Sequence, residues 1–240
     1  MKTLITLLSI GEKYSNSCKL LVDQLLQNTP YDILISTDDT SFFPIYPERV
    51  TVRSNMEDGI LLNYYTEFNY NLKFHAFKDL PEGYEIILYL DCDIKNNFWD
   101  QKSTELIEDI LSNYDFVGTR FNCVLKKEID QLAKTGNCLF KHKIDSYQVV
   151  NWADTSLLEA KLPSEHFFGF KYDKVKLNLF YEKWKELNFL LQKDPVDNRS
   201  WGDGFEIGIA AFHAGYTNVY DLEFGRQLTV LGLEFNGNKL

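Results

Sequence analysis

Short apolar runs alternate with amphipathic stretches through the first half of the chain. Strand-like runs cover Thr3–Ile10, Asp32–Ser36 and Ile86–Leu90, and apolar residues at helical spacing follow the first run at Ser15–Gln27. Consecutive parallel strands need a crossover connection, which is usually a helix. The alternation therefore predicts an α/β fold with a mostly parallel sheet flanked by helices.

The second half is less regular than the first. The remaining predicted elements are strands at Arg49–Arg53 and Phe116–Gly118 and helices at Asn63–Leu80, Thr104–Ser112, Val175–Leu191 and Phe205–Ala214. Phe121–Leu162 has only weak periodicity, and Tyr216–Leu240 is typical of short strands or extended chain. No linker or repeat interrupts the 240 residues, so we expect a single domain over 1–240.

Composition excludes several classes of protein. The net charge is −10, the pI is about 4.9, and no Lys/Arg cluster supplies the basic face that a phosphate-backbone binder needs. We therefore expect no nucleic-acid partner. No apolar run approaches the roughly 20 residues of a membrane-spanning helix, so we expect no transmembrane segment.

Cysteine usage and the N-terminal residues bear on location. No C-x-x-C pair occurs among the four cysteines, a pattern typical of reduced intracellular proteins, so we expect a cytoplasmic location. Lys2 followed by the apolar Leu4–Ile10 resembles a short signal peptide, but an A-x-A-like cleavage site is missing. We favour a first strand there.

Two carboxylates follow the apolar run of the segment "EIILYLDCDIKNN". Period-two alternation directs Asp91 and Asp93 to the same side of the strand. Ligands of open α/β sheets bind beyond the carboxyl ends of the strands, and two such carboxylates repel each other unless a cation is present. Mg²⁺ or Mn²⁺ is the natural occupant. A solvated strand end or a helix N-cap is the alternative interpretation.

Three segments resemble GT-A-fold glycosyltransferases in the family's order. "YEIILYLDCDI" resembles the D-x-D segment, and "LITLLSIGEKYSNSCKLLVDQLL" with "YDILISTDD" is similar to the first strand, nucleotide loop, helix and second strand. "WGDGFEIGIAAFHAGYTNVYDLEF" resembles the late acceptor-side segment. The resemblance, over about residues 3–224, implies a single GT-A-like domain with a Rossmann-like sheet. Residues 1–120 would then bind the nucleotide-sugar, and residues 121–240 the acceptor.

The resemblance also implies an activity. A metal-dependent hexosyltransferase would move a sugar from a nucleotide-diphosphate donor, with a UDP-sugar favoured, to a glycan or other hydroxyl acceptor. Mn²⁺ or Mg²⁺ would be held at Asp91 and Asp93. In the family the second Asp of the motif ligates the metal, whereas the first contacts ribose, sugar or metal-bound water. Inversion and retention of the anomeric configuration both stay open.

Besides Asp91, five residues are candidates for binding the donor. Backbone groups of Ile10 and Gly11 lie at the end of the first strand, and Tyr14 resembles the Tyr that stacks on uracil in blood-group A/B transferases. Tyr14 is equally well explained by packing at the start of a helix. Asp38 would accept a hydrogen bond from base or ribose, or else serve a turn or cap. Lys73 occupies a place where family members often have a cation, although a solvated helix face also explains it.

The catalytic carboxylate is where the sequence departs from the family. Aligning Trp201-Gly202-Asp203 puts Gly204 at the position of the essential acid. Asp203 and Glu206 remain as candidates, and we rank Asp203 first because flanking glycines allow close backbone approach to a ligand. N-capping and first-turn charge on the following helix are the alternative for both.

The acceptor wall and a third metal ligand are also implied by the resemblance. Trp201 and the segment "EHFFGF", with Glu165, His166 and Phe168, would contact the acceptor, since sugar rings pack on aromatic faces; core packing is the alternative for Phe168. His213 resembles the H-x-G metal ligand of some retaining members. An ordinary surface position on a helix is the interpretation that we favour for His213.

Other classes fit less well. A haloacid-dehalogenase-type phosphatase needs Thr or Val where Lys95 stands. A sugar-1-phosphate nucleotidyltransferase needs a Gly- and Arg-rich loop after the first strand, and "SIGEKYSN" has one Gly and no Arg. A non-catalytic nucleotide-sugar or glycan-binding protein of the same fold stays open because of Gly204.

Overall fold

The computed structural model describes residues 1–54, 72–92, 95–96, 101–119, 123–138, 144, 155–164, 166–191, 204–222 and 233–234. The strands within these residues are β1 Thr3–Ser9, β2 Asp32–Thr37, β3 Val50–Arg53, β4 Ile86–Leu90, β5 Lys95–Asn96, β6 Phe116–Thr119, β7 Cys123–Val124, β8 Lys161–Leu162, β9 Phe167–Lys171, β10 Val219–Leu222 and β11 Leu233–Glu234. The α-helices are α1 Gly11–Asn28, α2 Gln101–Asn113, α3 Leu125–Thr135, α4 Lys174–Leu191 and α5 Gly204–His213. Short 3-10 helices occupy Thr40–Phe42, Leu72–Phe77 and Thr155–Glu159.

The central element is a seven-stranded sheet in the order β10-β6-β9-β4-β1-β2-β3. Strands β1 to β4 pair in parallel, and β10 is parallel to β6. Strand β9 lies antiparallel between β4 and β6. The α/β class and the mostly parallel sheet are confirmed, and the antiparallel β9 is an addition that the sequence analysis did not predict.

Each face of the sheet carries its own buried layer. One layer joins the sheet to α1 and α2 through residues such as Cys18, Leu21, Leu25, Ile107 and Leu111. The other joins it to α4, α5 and the 3-10 helix Leu72–Phe77, and its largest side chains are aromatic: Phe74, Phe77, Phe168, Phe180 and Trp184. Fully burying one such side chain contributes roughly 1.5–3 kcal/mol, so this second layer firmly fixes the elements that carry the site.

Helix α1 begins at Gly11 rather than at Ser15. Gly11 has φ +78°, which glycine adopts without the steric cost of a Cβ. Its backbone N–H donates to both carboxylate oxygens of Asp38, at 3.0 and 3.2 Å. The structure therefore gives Asp38 a capping role at the start of α1, where the positive end of the helix dipole favours a carboxylate.

Two other boundaries differ from expectation. The prediction of an α-helix to Leu80 is wrong for the described part, where a 3-10 helix ends at Phe77 and Asp79 turns the chain with φ +48°. Helix α3 lies in the segment without clear periodicity and ends at Gly136, which has φ +70°.

Among the described residues, no helix combines the length and the apolar character needed to cross a bilayer.

Candidate functional site

The carboxyl ends of the parallel strands meet at one edge of the sheet, which we call the carboxyl edge. Gly11 follows β1, Asp38 follows β2 and Asp91 follows β4. Because β9 runs the other way, its first residues lie at this same edge, and His166 immediately precedes Phe167, the partner of Leu90. The edge therefore gathers side chains that are far apart in sequence.

Among the described residues, three side chains donate hydrogen bonds to Asp91. The Lys73 ammonium and Nδ1 of His166 both lie 2.9 Å from Oδ2, and the Tyr89 hydroxyl lies 2.7 Å from Oδ1. The backbone N–H of Asp91 donates to the carbonyl oxygen of His166 at 3.0 Å. We call Asp91, Lys73, His166 and Tyr89 the Asp91 cluster.

Asp91 is 8% exposed and remains ionised despite its burial. Burial alone would raise the pKa of this carboxyl group, but the charge of Lys73 and the hydrogen bonds from His166 and Lys73 outweigh it. The pKa of Asp91 consequently falls from its ordinary 3.8 to about 2. The cluster thus holds a buried negative charge by surrounding it with donors.

Local structure explains how each donor reaches Asp91. Strand alternation puts Tyr89 and Asp91 on the same face of β4. The 3-10 helix that carries Lys73 is tied to β1, because the Thr6 hydroxyl donates to the carbonyl oxygen of Ala76 at 2.7 Å. Its far end is tied to β3, because the Arg53 guanidinium donates to the carbonyl oxygens of Lys78 and Asp79.

The residues that follow β1 make several internal contacts. Ile10 is buried in the core, and the half-buried Tyr14 packs against the α1 side of the sheet. The Ser15 hydroxyl donates to the carbonyl oxygen of Gly11 and lies 3.0 Å from the Ser9 hydroxyl. These contacts agree with the packing role of Tyr14 that the sequence left open.

Helix α5 brings one candidate acid toward the carboxyl edge and carries one candidate ligand away from it. Glu206 is fully buried in the first turn of α5. A Cβ at Gly208 would lie 2.3 Å from the Lys161 carbonyl oxygen, so this glycine allows α5 to pack closely on β8. His213 is the exposed last residue of α5, which leads to the amino end of β10. The structure therefore places His213 at the opposite edge from Asp91.

Phe168 lies in the core rather than on a sugar-binding wall. It is fully buried, and its ring stacks on Tyr89 at 4.9 Å and on Phe77 at 5.5 Å between ring centroids. His166, for which we predict a place beside the acceptor, contacts Asp91. The two residues belong to the same segment, but Phe168 lies within β9 in the core, whereas His166 precedes β9 and lies at the carboxyl edge.

Four predicted site residues, Asp93, Glu165, Trp201 and Asp203, lie outside the described residues. Within the part of the chain that is described, no three His, Cys, Asp or Glu side chains are grouped closely enough to hold a metal ion. The candidate site that the structure describes is therefore the Asp91 cluster. The positions of the other four residues stay predictions.

The contact between His166 and Asp91 is the feature that sequence analysis missed. The signal for it was the run "FFGF", whose continuous apolar character between polar residues is typical of a fully buried strand. A Cβ at Gly169 would come within 2.5 Å of the Leu88 side chain, which explains a glycine inside this strand. Recognising β9 as a strand would have placed His166 at an edge of the sheet.

Comparison with solved structures supports the fold. No protein-family model and no curated protein sequence matches the chain. The galactosyltransferase LgtC, in complex with donor and acceptor sugar analogs, is similar at 10% identity and a TM-score of 0.50, over 91% of this chain and 72% of that chain. An active-site mutant of LgtC gives a TM-score of 0.51 at the same identity and coverage.

A 4-diphosphocytidyl-2C-methyl-D-erythritol synthase from Anaerococcus prevotii DSM 20548 is similar at 11% identity, over 94% of this chain and 88% of that chain, with a TM-score of 0.43. The chain has a GT-A-like fold. At such low identity the likeness concerns the fold, and function must be argued from the site.

Proposed function

We propose that the protein is a metal-dependent glycosyltransferase that uses a nucleotide-diphosphate sugar, with UDP as the favoured nucleotide, and transfers the sugar to a hydroxyl acceptor. One observation carries the proposal: an ionised, buried aspartate lies at the carboxyl end of a central strand of a GT-A-like sheet. Ligands of such sheets bind at this edge.

The charge distribution suits an anionic leaving group. The Lys73 ammonium and the His166 ring lie side by side on Oδ2 of Asp91, in a chain whose net charge is −10. Asp91 orients these two groups toward the edge where the diphosphate would lie. A nucleoside diphosphate leaves more readily when donors already aimed at it stabilise its developing charge.

Asp91 would contribute to a divalent-ion site as a secondary ligand, because three other side chains already contact its carboxylate. A carboxylate offers about four acceptor positions, and Lys73, His166 and Tyr89 use three on Asp91. Asp91 would therefore reach an ion through its remaining Oδ1 position or through water, and Asp93, two residues further along the sequence, would be the direct carboxylate ligand. Mn²⁺ or Mg²⁺ bound there supplies Lewis-acid neutralisation of the diphosphate.

The acceptor side rests on Asp203 and Glu206. Helix α5, held against β8, directs its first turn toward the carboxyl edge. The general base needs a carboxylate within hydrogen-bond reach of the acceptor hydroxyl, and we keep Asp203 as the first candidate. Asp203→Asn should lower turnover by about 10²-fold or more if Asp203 is the base, whereas an N-cap would tolerate Asn. Full transfer by this variant together with an inactive Glu206→Gln would reverse the ranking.

Donor turnover tests the proposal. Purified protein is incubated with a panel of nucleotide-sugars, with and without Mn²⁺, and release of the nucleotide is measured. We expect Mn²⁺-dependent turnover with a UDP-sugar, and we expect Asp91→Asn to lower it by about 10²-fold because misplaced binding groups cost that much.

Asp32→Asn is the matched control, because Asp32 also contacts a Tyr and a Lys but lies at the amino end of β2. Binding of UDP-sugar without turnover would favour the non-catalytic binding protein, and neither binding nor turnover would reject the proposal.

A further inference from the structure

We propose that a cavity behind helix α5 binds one neutral sugar ring. The cavity measures about 250 Å³ and lies between α5, the 3-10 helix Thr155–Glu159 with β8, and the amino ends of β6 and β10. Phe116 and Val219, the first residues of β6 and β10, pair with each other and line it. The inference goes beyond the proposed function, because this cavity is not at the carboxyl edge.

Size limits the cavity to a single ring. Pockets for drug-sized ligands usually measure roughly 300–1,000 Å³, so a cavity of about 250 Å³ is too small for a whole nucleotide-sugar. It is nevertheless several times larger than the roughly 30 Å³ that one water occupies in the liquid. The volume therefore suits a pyranose ring with its substituents.

Phe212 supplies the aromatic face. Its side chain is half-buried at the edge of the core, and within the described part of the chain it makes no contact with another ring. The neighbouring Tyr216 is unsuitable, because its ring packs on Phe170 at 4.6 Å between centroids and has the Lys176 ammonium 5.2 Å away. The apolar C–H face of a sugar can therefore pack on Phe212, beside the half-buried Val219.

The mouth of the cavity is polar, and its charges balance. Exposed lining residues supply a carboxylate, an ammonium and a hydroxyl group, from Glu159, Lys161 and Thr217. Among the described residues, neither charged side chain has an ion-pair partner. A carboxylate accepts hydrogen bonds and an ammonium donates them, and each sugar hydroxyl can do both. An anion would meet Glu159 and a cation would meet Lys161, so the site favours a neutral ligand with hydroxyl groups.

The cavity is separate from the Asp91 cluster, although both lie on the same face of the sheet. Helix α5 and Tyr89 belong to the same buried layer, which determines that face. Phe212 lies eight residues beyond Gly204 on α5, a distance of about 12 Å along the helix axis. In the sheet, β9 and β6 separate β4 from β10. A sugar in the cavity consequently leaves the carboxyl edge open to a nucleotide donor.

Nuclear magnetic resonance of the full chain, labelled with ¹³C at its valine methyl groups, tests the inference. The Val219 signal is assigned with a Val219→Ile variant, and the protein is titrated with the methyl glycosides of glucose, galactose and N-acetylglucosamine, without UDP or Mn²⁺. We expect at least one glycoside to shift the Val219 signal, with a Kd in the millimolar range that single-ring ligands of ordinary efficiency reach. Addition of UDP and Mn²⁺ should not displace it.

Two pairs of variants locate the bound sugar. Phe212→Ala should weaken glycoside binding at least about fivefold, because it removes the aromatic face. Phe43→Ala truncates a half-buried Phe of the other layer and should leave binding unchanged. Glu159→Ala should weaken binding at least about threefold through loss of a charged acceptor. Glu182→Ala, at an exposed position of α4, should not.

Glycosides that leave the Val219 signal unchanged would overturn the inference, and so would equal binding by wild type, Phe212→Ala and Glu159→Ala. Displacement of the glycoside by UDP would place it at the carboxyl edge instead. Tighter binding of L-phenylalanine, which carries both charges and an aromatic ring, would overturn the assignment to a sugar. Glu159→Ala decides the question if Phe212→Ala does not fold, because residue 159 is exposed. The titration does not involve donor turnover, so failure of the proposed function would not affect it.

Discussion

The two edges of the sheet carry similar side-chain groups in different surroundings. At the carboxyl edge, Asp91 contacts Lys73 at 2.9 Å and Tyr89 at 2.7 Å. At the amino edge, Asp32 contacts Lys2 at 3.7 Å and the Tyr84 hydroxyl at 2.8 Å. We call Asp32, Lys2 and Tyr84 the Asp32 cluster.

Burial distinguishes the Asp91 cluster from the Asp32 cluster. The side chains of Asp91 and Lys73 are 11% and 15% exposed, whereas those of Asp32 and Lys2 are 32% and 58% exposed. An exposed ion pair contributes about 0–1 kcal/mol.

Burying an ion pair costs desolvation energy that apolar packing would avoid. A buried charge with three hydrogen-bond donors, at the edge where sheets of this kind bind ligands, is therefore better explained by function than by stability. The comparison shows that two clusters with the same types of side chain need not have the same role. The exposure of each cluster to water must also be known.

Removal of the lysine should affect the two clusters very differently. Lys73→Met leaves a buried carboxylate with fewer donors, and we expect the free energy of unfolding to fall by about 3 kcal/mol. Lys2→Met should change it by less than about 1 kcal/mol. Urea unfolding at neutral pH measures both values. Equal losses in the two variants would show that burial does not distinguish the clusters.

Acid should weaken the fold through the Asp91 cluster. The pKa of Asp91 is lowered to about 2 in the folded protein, so its stabilising contribution is complete above its ordinary value of 3.8 and is lost as the pH falls toward 2. The loss should amount to about 2 kcal/mol.

Unfolding of Asp91→Asn between pH 5 and pH 2 should lack this part of the acid dependence, and Asp32→Asn should keep it. An identical acid dependence in wild type and Asp91→Asn would contradict the lowered pKa.

Removal of a single hydroxyl is the mildest test. Tyr89→Phe keeps the ring that stacks on Phe168 but removes a hydrogen bond to a buried charge, and about 1.5 kcal/mol should be lost. Tyr84→Phe removes a similar bond to the more exposed Asp32, so we expect a smaller loss. Thermal melts of both variants give the comparison, and a larger loss for Tyr84→Phe would reverse it.

The sequence predicted the parts of the site that depend on local pattern. Asp91 could be placed because an apolar run ending in a carboxylate predicts a buried strand and its exit from the sheet. Strand β4 accordingly keeps its predicted bounds, Ile86–Leu90. Lys73 was suggested by resemblance alone, and its contact with Asp91 required the structure.

Contacts between distant segments could not be predicted in this way. His166 is 75 residues from Asp91 in sequence, and they meet because β9 inserts antiparallel between β4 and β6. Local pattern carries no information on strand order. Helix α3 was missed for a different reason: Leu125, Ile129 and Leu132 have helical spacing and pack against the core, but they are few among the charged residues of this segment.

Calorimetry of UDP binding tests the central claim, that the Asp91 cluster forms the binding site for a nucleotide donor. Wild type, Asp91→Asn and Asp32→Asn are titrated with UDP in the presence of Mn²⁺. We expect wild type and Asp32→Asn to bind UDP equally well and Asp91→Asn to bind at least about tenfold more weakly, a loss of about 1.4 kcal/mol or more. Equal binding by Asp91→Asn, or no binding of UDP by the wild type, would contradict the claim.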